Sequence, residues 1–324
     1  MPNSANDGRS RQVNMERPIK RVLVIKLGAL GDIVQAVGPF AAIRRHHSDA
    51  HITLLTTKPF CDFAATGGWF DDVWVDDRSS WRQLRSWVES LKRLRRGQFD
   101  RVYDLQTSDR TAILYRLLAL GRKPEWSGTV YGCSHRNTNP RRNYIHTVER
   151  QAEQLGIAGI TEVPPPNVDT ISSDISRFEL SPPYVLLVPG GAAHRLDKRW
   201  PAKSYAELAR RLIAKGIMPV VIGGVPESQV ATAIATFCEG SRDLTNETSI
   251  VDIVELARDA VGAVGNDTGP MHVITTAGTP SVVLFSQASD PELCGQRGAD
   301  VTILRRSSLD ELSVDEVEAA LHLR

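Results

Sequence analysis

An apolar, β-branched run that stops at a glycine turn and hands over to an amphipathic segment opens at Arg21 (RVLVIKL, then Gly28 and Gly31) and again at Tyr184 (YVLLV, then Gly190-Gly191). This alternation constrains the chain more than any other feature. Continuous apolar runs are strands buried on both faces, and strands separated by helices pair in parallel, because a crossover needs a helix to return the chain. The spacing predicts strands over 21–27, 51–56, 73–75 and 101–105, then over 184–188, 218–222, 261–264 and 281–285. Helices are expected over 33–45, 81–94, 111–120, 204–215 and 250–258, with others starting near 227 and 269. Between the two series lie Pro164-Pro165-Pro166, Ser172-Ser173 and Pro182-Pro183. The reading is α/β: a polar, disordered arm over 1–18, a Rossmann-like domain over 19–165, a linker over 166–183 and a second Rossmann-like domain over 184–324. The two parallel sheets face each other across a cleft.

Composition agrees and excludes several functions. A length of 324 residues suits two domains of about 150 each. Hydrophobic residues at 41% and charged residues at 24% are ordinary for a globular chain. A net charge of +1 excludes a globally basic nucleic-acid binder, but it is a cancellation: residues 1–165 hold 25 Lys and Arg against 17 Asp and Glu, and the rest hold 14 against 21. Halves so different face different partners. Cys61, Cys133, Cys238 and Cys294 form no C-x-x-C pair, which points to a reducing compartment rather than a disulfide framework or zinc site. No apolar stretch approaches the roughly 18 residues of a membrane span, and Lys26 interrupts the first apolar run too early for a signal peptide. The expected location is cytoplasmic.

Ligands of such domains bind at the carboxyl ends of the strands, and four loops lie there. Lys26–Asp32 (KLGALGD) has neither dinucleotide nor P-loop spacing. Its Asp32 is either a helix N-cap or a carboxylate poised as a general base. Pro189-Gly190-Gly191-Ala192-Ala193 and the following Lys198-Arg199-Trp200-Pro201 are either a solvated surface loop or a place where backbone and lysine approach an anion. Trp200 reads as a packing residue. In Gly223-Gly224-Val225-Pro226-Glu227, Glu227 suits a helix dipole whether or not it meets a ligand. Gly265-Asn266-Asp267-Thr268-Gly269-Pro270-Met271-His272 is the strongest: small polar residues start a helix after an apolar strand and present free N–H groups to an anion. Asp267 and Thr268 are caps or ligands there, and His272 is a structural residue or a catalyst.

Taken together and in this order, KLGALGD, the Lys-Arg-Trp-Pro segment, the Gly-Gly…Glu loop and NDTGPMHVITTAGTPSVVLF resemble the family 9 glycosyltransferases, the lipopolysaccharide heptosyltransferases. The likeness runs from about Arg21 to the end. It implies a GT-B fold, with the acceptor held mainly by the first domain and the sugar nucleotide by the second. It also implies transfer of heptose from ADP-heptose to the lipopolysaccharide inner core with inversion at the anomeric carbon. By position, Asp32 matches the catalytic base and Lys198 the residue on the donor phosphate. Asp267, Thr268, Gly269 and His272 match the donor loop, and Glu227 the ribose contact. Gly31, Gly190 and Gly191 would line the donor through their backbone.

An inverting transfer is a single displacement, so it needs one base at the acceptor hydroxyl and charge stabilisation at the departing diphosphate. Lys198 and the helix start at Thr268–Gly269 can supply that charge, so the expected chemistry uses no metal and no cofactor beyond the ADP-sugar substrate. The basic segment over 85–96, with Arg93, Arg95 and Arg96, is the candidate for an anionic core acceptor or for peripheral contact with the inner membrane; otherwise it is a solvated helix face. Other readings are a different sugar-nucleotide transferase or epimerase on the same fold, and a non-catalytic sugar-nucleotide or glycan-binding module. A nicotinamide dehydrogenase lacks its fingerprint.

Overall fold

The first strand, β1 (Arg21–Ile25), is inaccessible from Val22 onward, as a strand at the centre of a covered parallel sheet must be. It pairs with β2 (His51–Thr56) on one side and β4 (Arg101–Asp104) on the other, in parallel. With β3 (Asp72–Val75), β5 (Glu125–Gly128) and β6 (His135–Arg136) the order is β3-β2-β1-β4-β5-β6. The second sheet contains β7 (Tyr184–Val188), β8 (Met218–Val221), β9 (Arg242–Asp243), β10 (Gly262–Asn266), β11 (Ser281–Phe285) and β12 (Val301–Arg305). Its order, β12-β11-β10-β7-β8-β9, repeats the first, and every pairing in both sheets is parallel. Each sheet therefore reverses its winding once, between β1 and β4 and between β7 and β10, and that is where such sheets open a ligand crevice.

This computed structural model describes residues 18–78, 84–121, 123–191, 196–224 and 228–324. The expected arm, up to residue 17, lies outside them, as do Ala192, Ala193 and Glu227. The helices are α1 (Leu30–Gln35), α2 (Val37–His46), α3 (Cys61–Thr66), α4 (Leu84–Arg96), α5 (Asp109–Ala119) and α6 (Thr147–Ile157) in the first half. The second half has α7 (Ala202–Ala214), α8 (Ser228–Phe237), α9 (Ile250–Asp259), α10 (Gly269–Thr276), α11 (Pro291–Cys294) and α12 (Val314–Ala320). The single helix expected over 33–45 is two, broken at Ala36. Pro39 has no N–H to offer the carbonyl of Gln35, so the first helix ends and a second begins with proline in its first turn. The two-residue β6 and the short β5 and β9 carry Glu, His, Arg and Asp, so no apolar alternation announces them.

Residues 166–183 carry little regular structure, but they are fastened down. Arg258 on α9 donates to the carbonyls of Ile171 and Val168 at 2.6 and 2.7 Å, and both of those side chains are buried. All four cysteines are free thiols.

The two halves meet where α1 packs on α10. A Cβ on Gly31 would stand 2.6 Å from the His272 ring, and one on Gly269 would stand 2.7 Å from Leu30. The seam continues through Gln35, whose amide reaches the Cys294 carbonyl at 3.3 Å, and through His146 Nε2, 2.9 Å from the Gly295 carbonyl. Arg297 pairs with Glu149 at 2.9 Å across the same boundary. Closeness at Gly31 requires the missing side chain. Gly31→Ala should therefore destabilise the protein by about 1–3 kcal/mol through overpacking. Gly156→Ala, in α6 with nothing within 4 Å of its Cβ, should stabilise it by about 0.5–1 kcal/mol. Urea unfolding of the two variants checks the contrast.

Candidate active site

Asp32 sits at the third helical position of α1 rather than at its N-cap, because the turn after β1 closes at Ala29 and the helix starts at Leu30. Its carboxylate nevertheless serves the helix start, accepting the Ala29 N–H at 3.2 Å. The cap and base readings are thus compatible: one oxygen is tied to the backbone, and Oδ1 lies 3.8 Å from the Lys26 ammonium. The Asp32 side chain is 41% exposed, whereas that of Lys26 is 5% exposed. Lys26 also donates to the Leu105 carbonyl at 3.2 Å. Burial pushes the Lys26 ammonium below its usual value, with Asp32 acting against that shift.

Across the seam, Asp267 follows β10 and gathers three donors. Lys198 Nζ and Ser289 Oγ approach Oδ2 at 2.8 and 2.7 Å, and Gln296 Nε2 approaches Oδ1 at 3.2 Å. Burial alone would raise its carboxyl, but the hydrogen bonds from Lys198 and Ser289 prevail and hold it below the usual range. Asp267 is thus ionised at neutral pH, and Lys198 is aimed at the start of α10. Thr268 is the N-cap residue there and makes no side-chain cap bond; its hydroxyl oxygen is buried without a partner. Gly269 opens the helix, and its leading N–H groups face the same region with the positive end of the dipole. Among the described residues no group of three or more His, Cys, Asp or Glu is placed to hold a metal ion.

The neighbouring wall is held by Asn266. This buried side chain donates to the carbonyls of Pro189 and Gly190 at 2.8 and 3.0 Å and accepts from the Trp200 N–H at 3.1 Å. It thereby ties the glycine loop after β7 to the end of β10 and to the Lys198 segment. Arg199 donates to the Gly191 carbonyl at 2.8 Å. Trp200 is fully buried against Tyr205, with its indole N–H on the Leu312 carbonyl at 2.9 Å, so it packs and does not stack on a ligand.

His272 lies between the two acidic centres. Burial pushes its imidazole down to about 4 despite the opposing charges of Asp267 and Asp32, which leaves a neutral ring pressed against Gly31. Asp32, Gly31, Lys198, Gly190, Gly191, Asp267, Thr268, Gly269 and His272 thus all lie around the facing switch points. Glu227 lies outside the described residues. Arg93, Arg95 and Arg96 do not join the group. A helix in a βαβ unit runs antiparallel to its strands, so the last turn of α4 ends at the amino edge of the sheet, where Arg21 Nε bonds the Gly97 carbonyl at 2.6 Å. Arg93 covers the Trp74 ring at 4.3 Å, and Arg95 donates to the Leu117 carbonyl at 3.0 Å. Sequence reasoning missed Lys26, Ser289 and Gln296. Lys26 carried a signal, since a lysine closing a fully apolar strand must find a buried partner; Ser289 and Gln296 carried none.

Two Rossmann-like domains whose switch points present a carboxylate on one side and a lysine with a helix amino terminus on the other define a GT-B glycosyltransferase. The chain belongs to glycosyltransferase family 9 (heptosyltransferase), whose sequence model matches residues 87–318. It is 22% identical to the lipopolysaccharide core heptosyltransferase OpsX of Haemophilus influenzae over 283 residues, 82% of this chain and 79% of the relative. Its fold matches the structure of the Escherichia coli ADP-heptose lipopolysaccharide heptosyltransferase II with a TM-score of 0.77 at 21% identity, over 93% of this chain and 97% of that one. The family 9 glycosyltransferase of Veillonella parvula matches with a TM-score of 0.82 at 20% identity, over 93% and 95% of the two chains.

The buried neutral histidine has a measurable consequence. Between its ordinary value of 6.5 and about 4, the unfolded chain takes up a proton at His272 that the folded chain refuses. Stability present above this window is therefore lost as pH falls through it. His272→Gln removes that contribution, while the similarly lowered His47 remains in both proteins. The urea midpoint of the variant should fall less than that of the wild type between pH 6.5 and 4.

Proposed function

We propose that this glycosyltransferase moves a heptose from ADP-heptose to an anionic acceptor in the lipopolysaccharide inner core, by a single inverting displacement. The observation that carries the reading is the contact of Gly31 with His272, which sets Asp32 and the Lys198–Asp267 pair on opposite sides of one seam. The acceptor hydroxyl attacks the anomeric carbon on the face away from the diphosphate, and Asp32 takes its proton. The bond from the anomeric carbon to the phosphate oxygen breaks, and ADP leaves with the electron pair. Lys198 and the amides opening α10 stabilise the charge that develops on the diphosphate, the role a metal plays elsewhere. Asp267 keeps Lys198 extended toward that position, and the backbone at Gly190 and Gly191 lines the donor.

The relatives supply the sugar: the solved Escherichia coli enzyme is described as an ADP-heptose transferase and the Haemophilus influenzae protein as a core heptosyltransferase. In this reading the protein acts as a peripheral enzyme at the cytoplasmic face of the inner membrane. Among the described residues no helix is long and apolar enough to cross a membrane.

Asp32→Asn keeps an oxygen for the Ala29 N–H but cannot accept a proton as a carboxylate does. It should lower kcat by about 10²–10⁴-fold with little change in ADP affinity or melting temperature; near-wild-type turnover would remove Asp32 as the base. Lys198→Ala should weaken ADP binding by about ten- to a hundred-fold, read by calorimetry against ADP, and unchanged binding would remove Lys198 from the donor site.

A further inference from the structure

We infer that Gln35 and His146 of the first domain are positioning residues for the donor lysine of the second. They hold the backbone over 293–296 so that Gln296 orients the Asp267 carboxylate and, through it, Lys198. The inference rests on the transfer reaction proposed above, because it takes Lys198 as the residue that meets the diphosphate.

Three consecutive carbonyls of the second domain face side chains of the first. Thr147 Oγ1 reaches the Leu293 carbonyl at 3.4 Å, Gln35 Nε2 reaches that of Cys294 at 3.3 Å, and His146 Nε2 lies 2.9 Å from that of Gly295. All three side chains are buried. A carbonyl can only accept, so Nε2 of His146 carries a proton whatever the charge of the ring. Nδ1 of the same ring accepts the Val148 N–H at 3.2 Å and so caps α6, with the Glu149 carboxylate also 3.2 Å away. The three donors sit on rigid elements: Gln35 is the last residue of α1, and His146 and Thr147 open α6.

The loop they hold bears directly on the donor side. Gln296 is 3% exposed, and its Nε2 meets Asp267 Oδ1 at 3.2 Å. Its Oε1 is buried with no partner, so no contact at the other atom of the amide fixes its direction; the position of the loop does. The second carboxylate oxygen, Oδ2, takes Lys198 and Ser289 at 2.8 and 2.7 Å. A carboxylate is planar, so a rotation that follows Gln296 at Oδ1 carries Oδ2 with it and shifts the ammonium bonded there. Burial stiffens this linkage, because a lost contact to a buried carboxylate is not replaced cheaply. One short helix therefore serves both sides of the reaction: α1 carries Asp32 at its third position and grips the donor loop at its last.

The test is calorimetric titration of ADP into the wild type, Gln35→Met, Gln296→Met, the double variant carrying both, His146→Ala and His146→Gln. Urea midpoints report on the fold, and steady-state kinetics on each substrate. Methionine keeps the length of glutamine and removes its N–H. Gln35→Met and Gln296→Met should each weaken ADP binding about three- to ten-fold, the worth of one hydrogen bond, and raise KM for the ADP-sugar while leaving KM for the acceptor unchanged. The double variant should bind ADP no more weakly than Gln296→Met, since both changes act along one path. His146→Ala should lose affinity to a similar degree, and His146→Gln, which keeps an N–H facing Gly295, should restore it. Gln35→Met, which touches no helix cap, decides the question should His146→Ala fail to fold. Unchanged ADP affinity in Gln35→Met or in Gln296→Met, or losses that add in the double variant, overturns the inference and leaves the transfer reaction standing. A wild type that does not bind ADP overturns the transfer reaction itself.

Discussion

The helix–helix contact between α1 and α10 is the constraint on which the rest of the site depends. Each helix starts immediately after the central strand of its own sheet or that strand's neighbour, so each carries chemistry at its first turn. Two glycines, Gly31 and Gly269, let the first turns meet without side chains between them. The outcome is a short path between Asp32 and the Lys198–Asp267 pair, closed on one side by a neutral His272. A larger residue at either glycine would force these two first turns, or the side chains between them, to move apart.

Electrostatics follow from that geometry. Asp267 is buried with three donors, one of them a full charge, so the second domain keeps a pre-oriented lysine without exposing an unpaired ion. A diphosphate entering there would take up part of the lysine's charge, while Ser289 and Gln296 continue to satisfy Asp267. The loop carrying Gln296 is also gripped from the first domain: the carbonyls of Cys294 and Gly295 accept from Gln35 and His146. The geometry at Asp267 and the position of the domains are therefore linked through three consecutive residues, Cys294, Gly295 and Gln296. Any relative movement of the two domains would therefore act on Asp267 through this loop.

The positive charge of the first half divides into two populations. Arg95 and Arg96 cap the end of α4 at the amino edge of the sheet, where they serve the helix dipole and the surface. Lys26 stands at the carboxyl edge, buried between Asp32 and the Leu105 carbonyl. Charge counting along a chain cannot separate these populations, because the direction in which a helix returns decides which edge its charges reach.

By itself the sequence determined the architecture and which loops stand at the carboxyl edges of the two sheets. Strands such as Val22–Ile25 and Tyr184–Val188 are apolar throughout because both sheet faces are covered, and the glycine turns after them mark the carboxyl edges where a ligand must sit. The Asn266–Gly269 stretch is legible for the same reason, since a helix start after a buried strand exposes N–H groups whatever surrounds it. Only the tertiary structure decided that His272 is neutral and set against Gly31 and that Gln296 supports Asp267. The first joins groups more than two hundred residues apart and the second rests on the burial of a charge, and neither quantity is carried by local pattern. Local pattern reports which backbone groups are free; which side chains meet them is settled by packing.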